Sequence, residues 1–416
     1  MTAALVALNA RTFSSLRKHR NYRLFFSGQV ISLSGTWMQN VALAWLVVEL
    51  TRSPVAIGVL AFCRFIPFTI FGLLSGVVAD RTDNRRLVMG TQTASMVVSI
   101  SLAVLVLSGA ASLWLVYLLA ALGGTALVFD APGRHGLTFQ MVGREELPNA
   151  VALNASLFNA SRVVGPAIAG VVIATVGVGP CFVLNALSFF AVLAGLACMR
   201  RSELFPLVPA ETAAPSVLGS VREGLGFVRR SRPVRLVLGI TAVVSTVGFN
   251  FHVLVPVLAA DTLHAGPRTF GILSACFGLG ALGGALLTAS LGRASWKSLV
   301  LGAGGFSLTL LVLAPQGTVL ASALLLFATG VCFTLWTSNS QSILQLTAPD
   351  HLRGRVLSLY LFAFAGLAPL GGLLAGWLAA VGGTELAFLV AGVTGLVMTA
   401  YTAAELRRGG LPAARA

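Results

Sequence analysis

Long runs without a charged residue alternate with short, strongly charged segments along the whole chain. The run 298–349 contains no charged residue, and neither does the run 87–129. Only 10% of the 416 residues are charged, whereas soluble domains carry about 25%. A segment of about 20 apolar residues spans a bilayer as a helix, because a helix satisfies its backbone hydrogen bonds internally. The sequence therefore predicts an all-α membrane protein.

The apolar runs predict twelve membrane helices, six before a polar segment and six after it. Three of the runs are long enough for two helices each. The predicted spans are 22–50, 54–79, two within 87–129, two within 150–199, 236–260, 269–292, two within 298–349, 356–384 and 386–404. The predicted regions are a cytoplasmic N-tail (1–21), an N-terminal six-helix bundle (22–200), a cytoplasmic linker (201–233), a C-terminal six-helix bundle (234–405) and a cytoplasmic C-tail (406–416).

The basic residues fall almost entirely on one side of the predicted membrane. Of the 28 lysine and arginine residues, only Arg52 and Arg268 lie in loops on the other side, and Arg64 and Arg162 lie inside predicted helices. Under the positive-inside rule, both termini are predicted to be cytoplasmic. This distribution explains the net charge of +15 without a folded basic domain, so no nucleic-acid partner is expected.

The sequence predicts no cofactor and no metal site. Its five cysteines lie in apolar runs without short spacings, which is typical of packing residues rather than metal ligands or disulfides. The chain has no glycine-rich nucleotide-binding loop, so ATP is not expected to drive it directly. The cysteines are Cys63, Cys181, Cys198, Cys276 and Cys332.

The polar segment between the two sets of helices predicts a short amphipathic helix at 216–230. Its arginines Arg222, Arg229 and Arg230 suit the anionic inner surface of a membrane. The alternative is a solvated linker whose charges only add to the cytoplasmic side.

A tight charged turn lies between the second and third predicted helices. The segment 76–87, GVVADRTDNRRL, places five charges within seven residues. It resembles the loop 2–3 signature of the major facilitator superfamily, G-x-L-a-D-r-x-G-r-[KR]-[KR]. Five residues match the signature, and Asp83 and Asn84 depart from it. The matching residues are Gly76, Asp80, Arg81, Arg85 and Arg86.

Within that superfamily, the chain resembles the bacterial branch that contains the enterobactin exporter and macrolide-efflux proteins. The segments that carry this resemblance are WMQNVALAW (37–45), FDAPGR (129–134), ELPN (146–149) and RGRVLSL (353–359). The resemblance implies two six-helix bundles that alternate access to a central site. Weak internal repeats, such as Gln140 to Ala150 against Gln345 to Arg355, are consistent with a duplicated bundle.

The fifth predicted helix carries a glycine- and proline-rich element that is similar to one typical of exporters in the superfamily. Gly165, Pro166 and Gly170 match it, and Ala169 stands where a glycine is usual. Such residues allow close helix packing and kinks. The R-x-x-Q-G element of other exporters is missing from the fourth predicted helix, 114–132, which weakens the transfer of their proton-coupling scheme.

The resemblance implies a cytoplasmic gate built on the charged turn. We expect Asp80 to contact the start of the eleventh predicted helix, where a positive helix end and the guanidinium groups of Arg353 and Arg355 lie close together. This contact is expected when the protein is open to the outside. The alternative is that these charges only fix the topology.

Two arginines lie near the middle of the bilayer, where an unpaired charge costs at least about 2.5–3.5 kcal/mol. We therefore expect Arg64 and Arg162 to face a hydrated cavity that attracts an anionic or electron-rich substrate, or to bond helix carbonyls. Polar residues at helical spacing support such a cavity, although they could also hold helices together. The remaining candidates are Gln29, Ser32, Thr36, Trp37 and Asn40 in the first predicted helix and Ser245 in the seventh.

Proton coupling is an expectation that comes from the resemblance. A proton-coupled exporter needs a carboxylate that is exposed to each side in turn. The candidates are Asp130, which is preferred because it adjoins Arg134 near the predicted inner end of the fourth helix, then Glu49 and Asp261.

The sequence therefore predicts a secondary active exporter of a small amphiphilic molecule, drug-like or siderophore-like, in a bacterial inner membrane. Proton antiport is the expected driving force, and the protein is expected to work as a monomer and not as an enzyme. One alternative is an uptake permease of the same fold. A polytopic membrane enzyme is another, but it would need clustered acids to hold metal-bound phosphate, and the close acid pairs sit among basic residues of the loops.

Overall fold

A computed structural model describes residues 12–206, 217–349 and 352–409. Within these ranges the chain is helical and contains no β-strand, which confirms the predicted all-α class. The helices are α1 (Ser14–Lys18), α2 (Arg20–Thr51), α3 (Pro54–Arg81), α4 (Asn84–Leu107), α5 (Leu113–Val176), α6 (Gly179–Ala197), α7 (Val217–Arg230), α8 (Arg232–Gly248), α9 (Phe251–Val257), α10 (Pro267–Leu291), α11 (Trp296–Leu313), α12 (Val319–Thr347), α13 (Arg353–Leu361) and α14 (Ala368–Gly409). A 3₁₀ turn covers Arg201–Glu203, and π-helical turns cover Leu258–Thr262 and Phe362–Gly366.

Ten of the described helical segments are long and apolar enough to cross a membrane. Two of them are too long for one crossing, because 64 and 56 residues correspond to about 96 and 84 Å of helix against a hydrocarbon core of about 30 Å. Each bends at a glycine with positive φ, Gly143 at 69° and Gly383 at 68°. These backbone angles favour glycine. If each long segment crosses the membrane once on either side of its glycine, the ten described segments correspond to twelve crossings, and the number twelve stays a prediction.

The fourth membrane segment differs from its prediction. The predicted span ended at Pro132, but the helix continues to the bend at Gly143. Asp130 therefore lies inside the segment, about 20 Å along the helix from Gly143, and not near its end. Arg134, which the charge pattern placed in a cytoplasmic loop, is also inside. The prediction failed because these two charges, four residues apart on one helix, pair with each other.

The first and last described residues, the linker helix α7 and the Gly143 bend lie on one side of the molecule, here called the terminal side. In α1, the Ser14 hydroxyl donates a hydrogen bond of 2.6 Å to Glu146, and Lys18 forms an ion pair with the same carboxylate. The Lys18 hydrogen bond to Glu146 raises the pKa of the lysine. At the start of α8, Arg232 pairs with Glu405 at 2.6 Å.

Glycines bring the two bundles into contact, mainly on the side opposite the terminal side. A Cβ atom on Gly58 of α3 would lie 2.7 Å from the carbonyl oxygen of Gly372 in α14, and one on Gly271 of α10 would lie 2.6 Å from that of Pro166 in α5. No larger residue fits there without movement of the helices. Further along α3, the Thr69 hydroxyl donates 2.7 Å to the Gly366 carbonyl. Beyond this point α3 ends in the charged turn.

Candidate transport site

A buried polar network lies inside the N-terminal bundle around Asp130. This carboxylate is 2% exposed. It accepts hydrogen bonds from the Thr91 hydroxyl at 2.7 Å and from the Gln92 amide at 2.8 Å, and it forms an ion pair with Arg134. Arg134 also donates 2.7 Å to the amide oxygen of Gln29. The network therefore links α2, α4 and α5 through one carboxylate and one guanidinium.

A second polar group lies deeper in the same bundle. Ser99 and Asn185 both donate to the amide oxygen of Gln39, at 2.7 and 2.8 Å. Asn185 also donates 3.2 Å to the Ser99 hydroxyl. These bonds join α2, α4 and α6. None of these three residues was predicted as a site residue from the sequence.

Both polar groups border one small cavity between α2, α3, α4, α5 and α6. Its volume is about 90 Å³, which corresponds to about three water molecules at roughly 30 Å³ each. Drug-sized ligands need about 300–1,000 Å³, so in this conformation the cavity suits water rather than substrate. Its polar and charged lining includes Gln29, Ser32, Thr36, Gln39, Asn40, Arg64, Gln92, Asp130, Arg134 and Asn185.

Arg64 connects this cavity with the boundary between the bundles. Its side chain borders the cavity, and its guanidinium carbon lies 5.9 Å from the centre of the Phe65 ring. Phe65 in turn packs at 5.1 Å against His252 of the C-terminal bundle. The Nε2 atom of His252 is buried without a hydrogen-bond partner in the described part of the chain. His252 therefore lies inside the protein, at the boundary between the bundles.

Arg162 lies in an aromatic cluster at the boundary between the two bundles. Its guanidinium carbon is 4.6 Å from the ring centre of Phe277, 5.4 Å from Phe333 and 5.6 Å from Trp37. A fourth ring, Phe249, lies at 5.9 Å and stacks on Phe333 at 4.6 Å. No carboxylate pairs with Arg162 among the described residues. Aromatic faces attract cations, so the rings stabilise the charge of Arg162 in place of a carboxylate.

The predicted cavity residues therefore fall into three places. Trp37 and Arg162 lie together in the aromatic cluster. Ser245 lies elsewhere, since its hydroxyl is 3% exposed and donates 3.2 Å to the Ala363 carbonyl. The residues that border the cavity in the N-terminal bundle are Gln29, Ser32, Thr36, Asn40 and Arg64. The phenylalanines of the cluster were missed, because isolated aromatic residues in apolar helices give no sequence signal of their own.

The charged turn makes local contacts in this conformation. Asp83 caps α4 by accepting 3.0 Å from the Arg86 backbone amide. Arg85 donates 2.7 Å to the Leu196 carbonyl at the end of α6. Gly76 has open space around it, Arg81 and Arg86 are exposed, and the side chain of Asp80 lies outside the described residues.

The predicted partners of Asp80 lie at the start of α13. Arg355 forms an ion pair with Glu223 of α7, and Arg353 donates 3.1 Å to the Gln345 carbonyl. The linker helix therefore holds one of the two guanidinium groups that the gate prediction assigned to Asp80.

The remaining candidates are two acidic residues and the glycine element of α5. Glu49 and Asp261 are exposed. In the glycine element of α5, Gly165 packs against α2, where an added Cβ would lie 2.5 Å from that of Trp37, and Gly170 packs against Gly271 of α10. Pro166 is buried beside the same contact.

Comparisons with known proteins agree with this architecture. The chain is 25% identical to the staphyloferrin A transporter of Staphylococcus aureus over 386 residues, 91% of this chain and 94% of the relative. It is 22% identical to macrolide efflux protein A of Streptococcus pyogenes over 385 residues, 91% and 95% of the two chains. A variant of the nucleoside transporter NupG shares the fold, with a TM-score of 0.74 over 92% of this chain and 99% of that one at 10% identity.

The family model described as transmembrane secretion effector matches residues 10–412. This match covers nearly the whole chain and confirms the resemblance that the charged turn and the other segments carried. The chain belongs to the transmembrane secretion effectors of the major facilitator superfamily.

Proposed function

We propose that this protein is a secondary active transporter that exports a small amphiphilic molecule across a bacterial inner membrane by alternating access. The macrolide efflux protein and the staphyloferrin A transporter, both similar over nine-tenths of this chain, support a drug-like or siderophore-like substrate. The positive-inside distribution supports a cytoplasmic terminal side.

The observation that carries the substrate site is the position of Arg162. It lies between the bundles, where alternating access exposes a site to each side in turn. Aromatic rings surround it, and none of the described carboxylates pairs with it. An amphiphilic molecule with an anionic or electron-rich group would fit both the guanidinium and the aromatic rings of this cluster. Its polar group would bind the guanidinium, and its apolar part would pack on Phe277 and Phe333.

The polar network supports proton antiport through Asp130. Asp130 forms an ion pair with Arg134, and Arg134 donates a hydrogen bond to Gln29 of α2. Protonation of Asp130 would neutralise it and release the guanidinium, so that the link between α2 and α5 changes. The cavity beside Asp130 has room for about three water molecules, and such waters would carry protons to the carboxylate. The Asp130 carboxylate would therefore bind the transported proton and, through Arg134, control the contact between α2 and α5.

The charged turn supports a gate on the terminal side. We propose that Asp80 contacts the start of α13 when the protein is open to the opposite side. In the present conformation, the described contacts between the bundles lie mainly opposite the terminal side, so this gate belongs to the other conformation.

Counterflow in proteoliposomes tests the proposed function. Vesicles that contain the purified protein are loaded with candidate macrolides or siderophores, and entry of labelled compound is followed with and without a pH gradient. We expect counterflow of at least one amphiphilic compound and accumulation driven by an opposing proton gradient. Accumulation only in the direction of cytoplasmic uptake would instead assign the protein as a permease.

A further inference from the structure

The linker helix α7 forms one wall of an open groove on the terminal side. The groove has a volume of about 490 Å³. Its residues on α7 recur at spacings of three and four, so they share one face of the helix, and Leu352, next to the start of α13, forms the other wall. The lining residues are Gly219, Arg222, Glu223, Gly226, Phe227, Arg230 and Leu352.

The charges of this linker groove do not cancel. Its one acid, Glu223, is already paired with Arg355 of α13. Arg222 and Arg230 are exposed and form no ion pair in the part of the chain that the structure describes. The groove therefore presents two free guanidinium groups beside a neutralised pair. Arginine binds phosphate through paired, charge-assisted hydrogen bonds.

The groove lies at the level where a membrane span begins. Arg230 is two residues from Arg232, the first residue of α8, which crosses the membrane as part of the segment Arg232–Thr262. On its other flank α7 packs against α13, where a Cβ on Gly224 would lie 3.2 Å from Leu359. Half-buried Phe227 adds an aromatic ring to the lining. This is the depth of lipid headgroups rather than of bulk water.

The helix α1, at the start of the first bundle, occupies a position similar to that of α7 but differs from it in its charges. A single residue separates each of these helices from the membrane helix that follows it. An ion pair joins α1 to the start of the fifth membrane segment and α7 to the start of the eleventh. In α1 the base is on the helix and the acid on the membrane segment, Lys18 with Glu146. In α7 the acid, Glu223, is on the helix. Arg222 and Arg230 on the same face form no ion pair with any described residue.

We propose that the linker groove binds the headgroup of an anionic phospholipid, with its phosphate held by Arg222 and Arg230. The two arginines are two helical turns apart on one face, so they can contact one headgroup from both ends. A zwitterionic headgroup would bring its own cation against these guanidiniums and is disfavoured. Basic pockets beside membrane helices suit acidic lipids for the same reason. The site does not depend on the direction of transport.

Native mass spectrometry of the purified full-length protein tests this site. Phosphatidylglycerol and phosphatidylcholine are titrated separately into the wild type, the Arg222→Gln/Arg230→Gln variant and the Arg201→Gln/Arg229→Gln variant. The last is a matched control, because it removes two exposed linker arginines that do not line the groove. We expect phosphatidylglycerol binding to weaken about tenfold or more in the groove variant and to change less than about twofold in the control.

Equal loss in both variants would overturn the proposal, because it would show a general effect of linker charge. Equal binding of phosphatidylcholine to the wild type would also overturn it. A third arm adds free glycerol 3-phosphate as a competitor. Displacement of the lipid at matched concentration would assign the groove to a soluble phosphate compound and reject the lipid assignment, whereas retention of the lipid supports it.

Discussion

The guanidinium of Arg162 lies 4.6 Å from the ring centre of Phe277, across the boundary between the two bundles. Arg162 belongs to α5 and Phe277 to α10, so the contact must change whenever these helices move apart. A cation–π contact contributes about 0.5–1 kcal/mol at an exposed site and about 2 kcal/mol or more when it is shielded from water. Arg162 is thus held by aromatic contacts. A substrate with a polar group and an apolar body can share these contacts or replace them.

Replacement of Arg162 by leucine is expected to weaken substrate binding about tenfold or more, because about 1.4 kcal/mol corresponds to a factor of ten. Arg162→Lys should retain part of the affinity, since it keeps the charge and loses the planar group. Binding can be followed by quenching of tryptophan fluorescence, to which Trp37, 5.6 Å from Arg162, contributes. Unchanged affinity in a normally folded Arg162→Leu protein would remove this residue from the site.

The Asp130–Arg134 pair is expected to show strong coupling in a double-mutant cycle. Asp130→Asn or Arg134→Gln alone leaves a buried charge without its partner, which costs about 3–5 kcal/mol for buried pairs. The double variant leaves no charge and should be clearly more stable than the sum of the single effects predicts. Thermal unfolding in detergent measures the cycle. Additive effects would show that the two residues act independently.

The contact between the bundles at Gly58 is expected to tolerate no side chain. A Cβ there would lie 2.7 Å from a backbone oxygen, so Gly58→Ala should lower the stability of the protein by about 1–3 kcal/mol. Gly72→Ala on the same helix is the matched control, because a Cβ at Gly72 meets no atom within 4 Å. Thermal unfolding of the two variants tests the difference, and equal midpoints would argue against a close contact at Gly58.

The gate proposal predicts a conformational effect of Asp80→Asn that Asp83→Asn lacks. Asp83 caps α4, and asparagine caps helices as well as aspartate does. With native cysteines replaced by serine, spin labels at the exposed residues Thr82 and Ser290 report the distance between the terminal-side ends of α3 and α10. Asp80→Asn should reduce the population with a short distance. The same distribution in wild type and Asp80→Asn would leave the charged turn with a topological role only.

The sequence predicts the helical class, the two sets of membrane segments and the family, because lipid restricts a spanning chain to helices and the charged turn carries a specific pattern. It misplaces Asp130 and Arg134, because the prediction assumed that a charged residue marks the end of a membrane span. Two opposite charges that pair along one helix can lie within the span. The i, i+4 spacing of these two residues was the available signal. The aromatic cluster could not be predicted, since its rings come from α2, α10, α12 and the residue that follows α8, and they meet only in three dimensions.

Proton release during transport tests the central claim most directly. Proteoliposomes that contain wild type, Asp130→Asn or the exposed-acid variant Asp261→Asn are loaded with a pH-sensitive dye, and a substrate identified by counterflow is added under a concentration gradient. The account predicts a substrate-dependent proton flux in the wild type and in Asp261→Asn, and its loss in Asp130→Asn with substrate exchange retained. A proton flux of unchanged size in Asp130→Asn would contradict it.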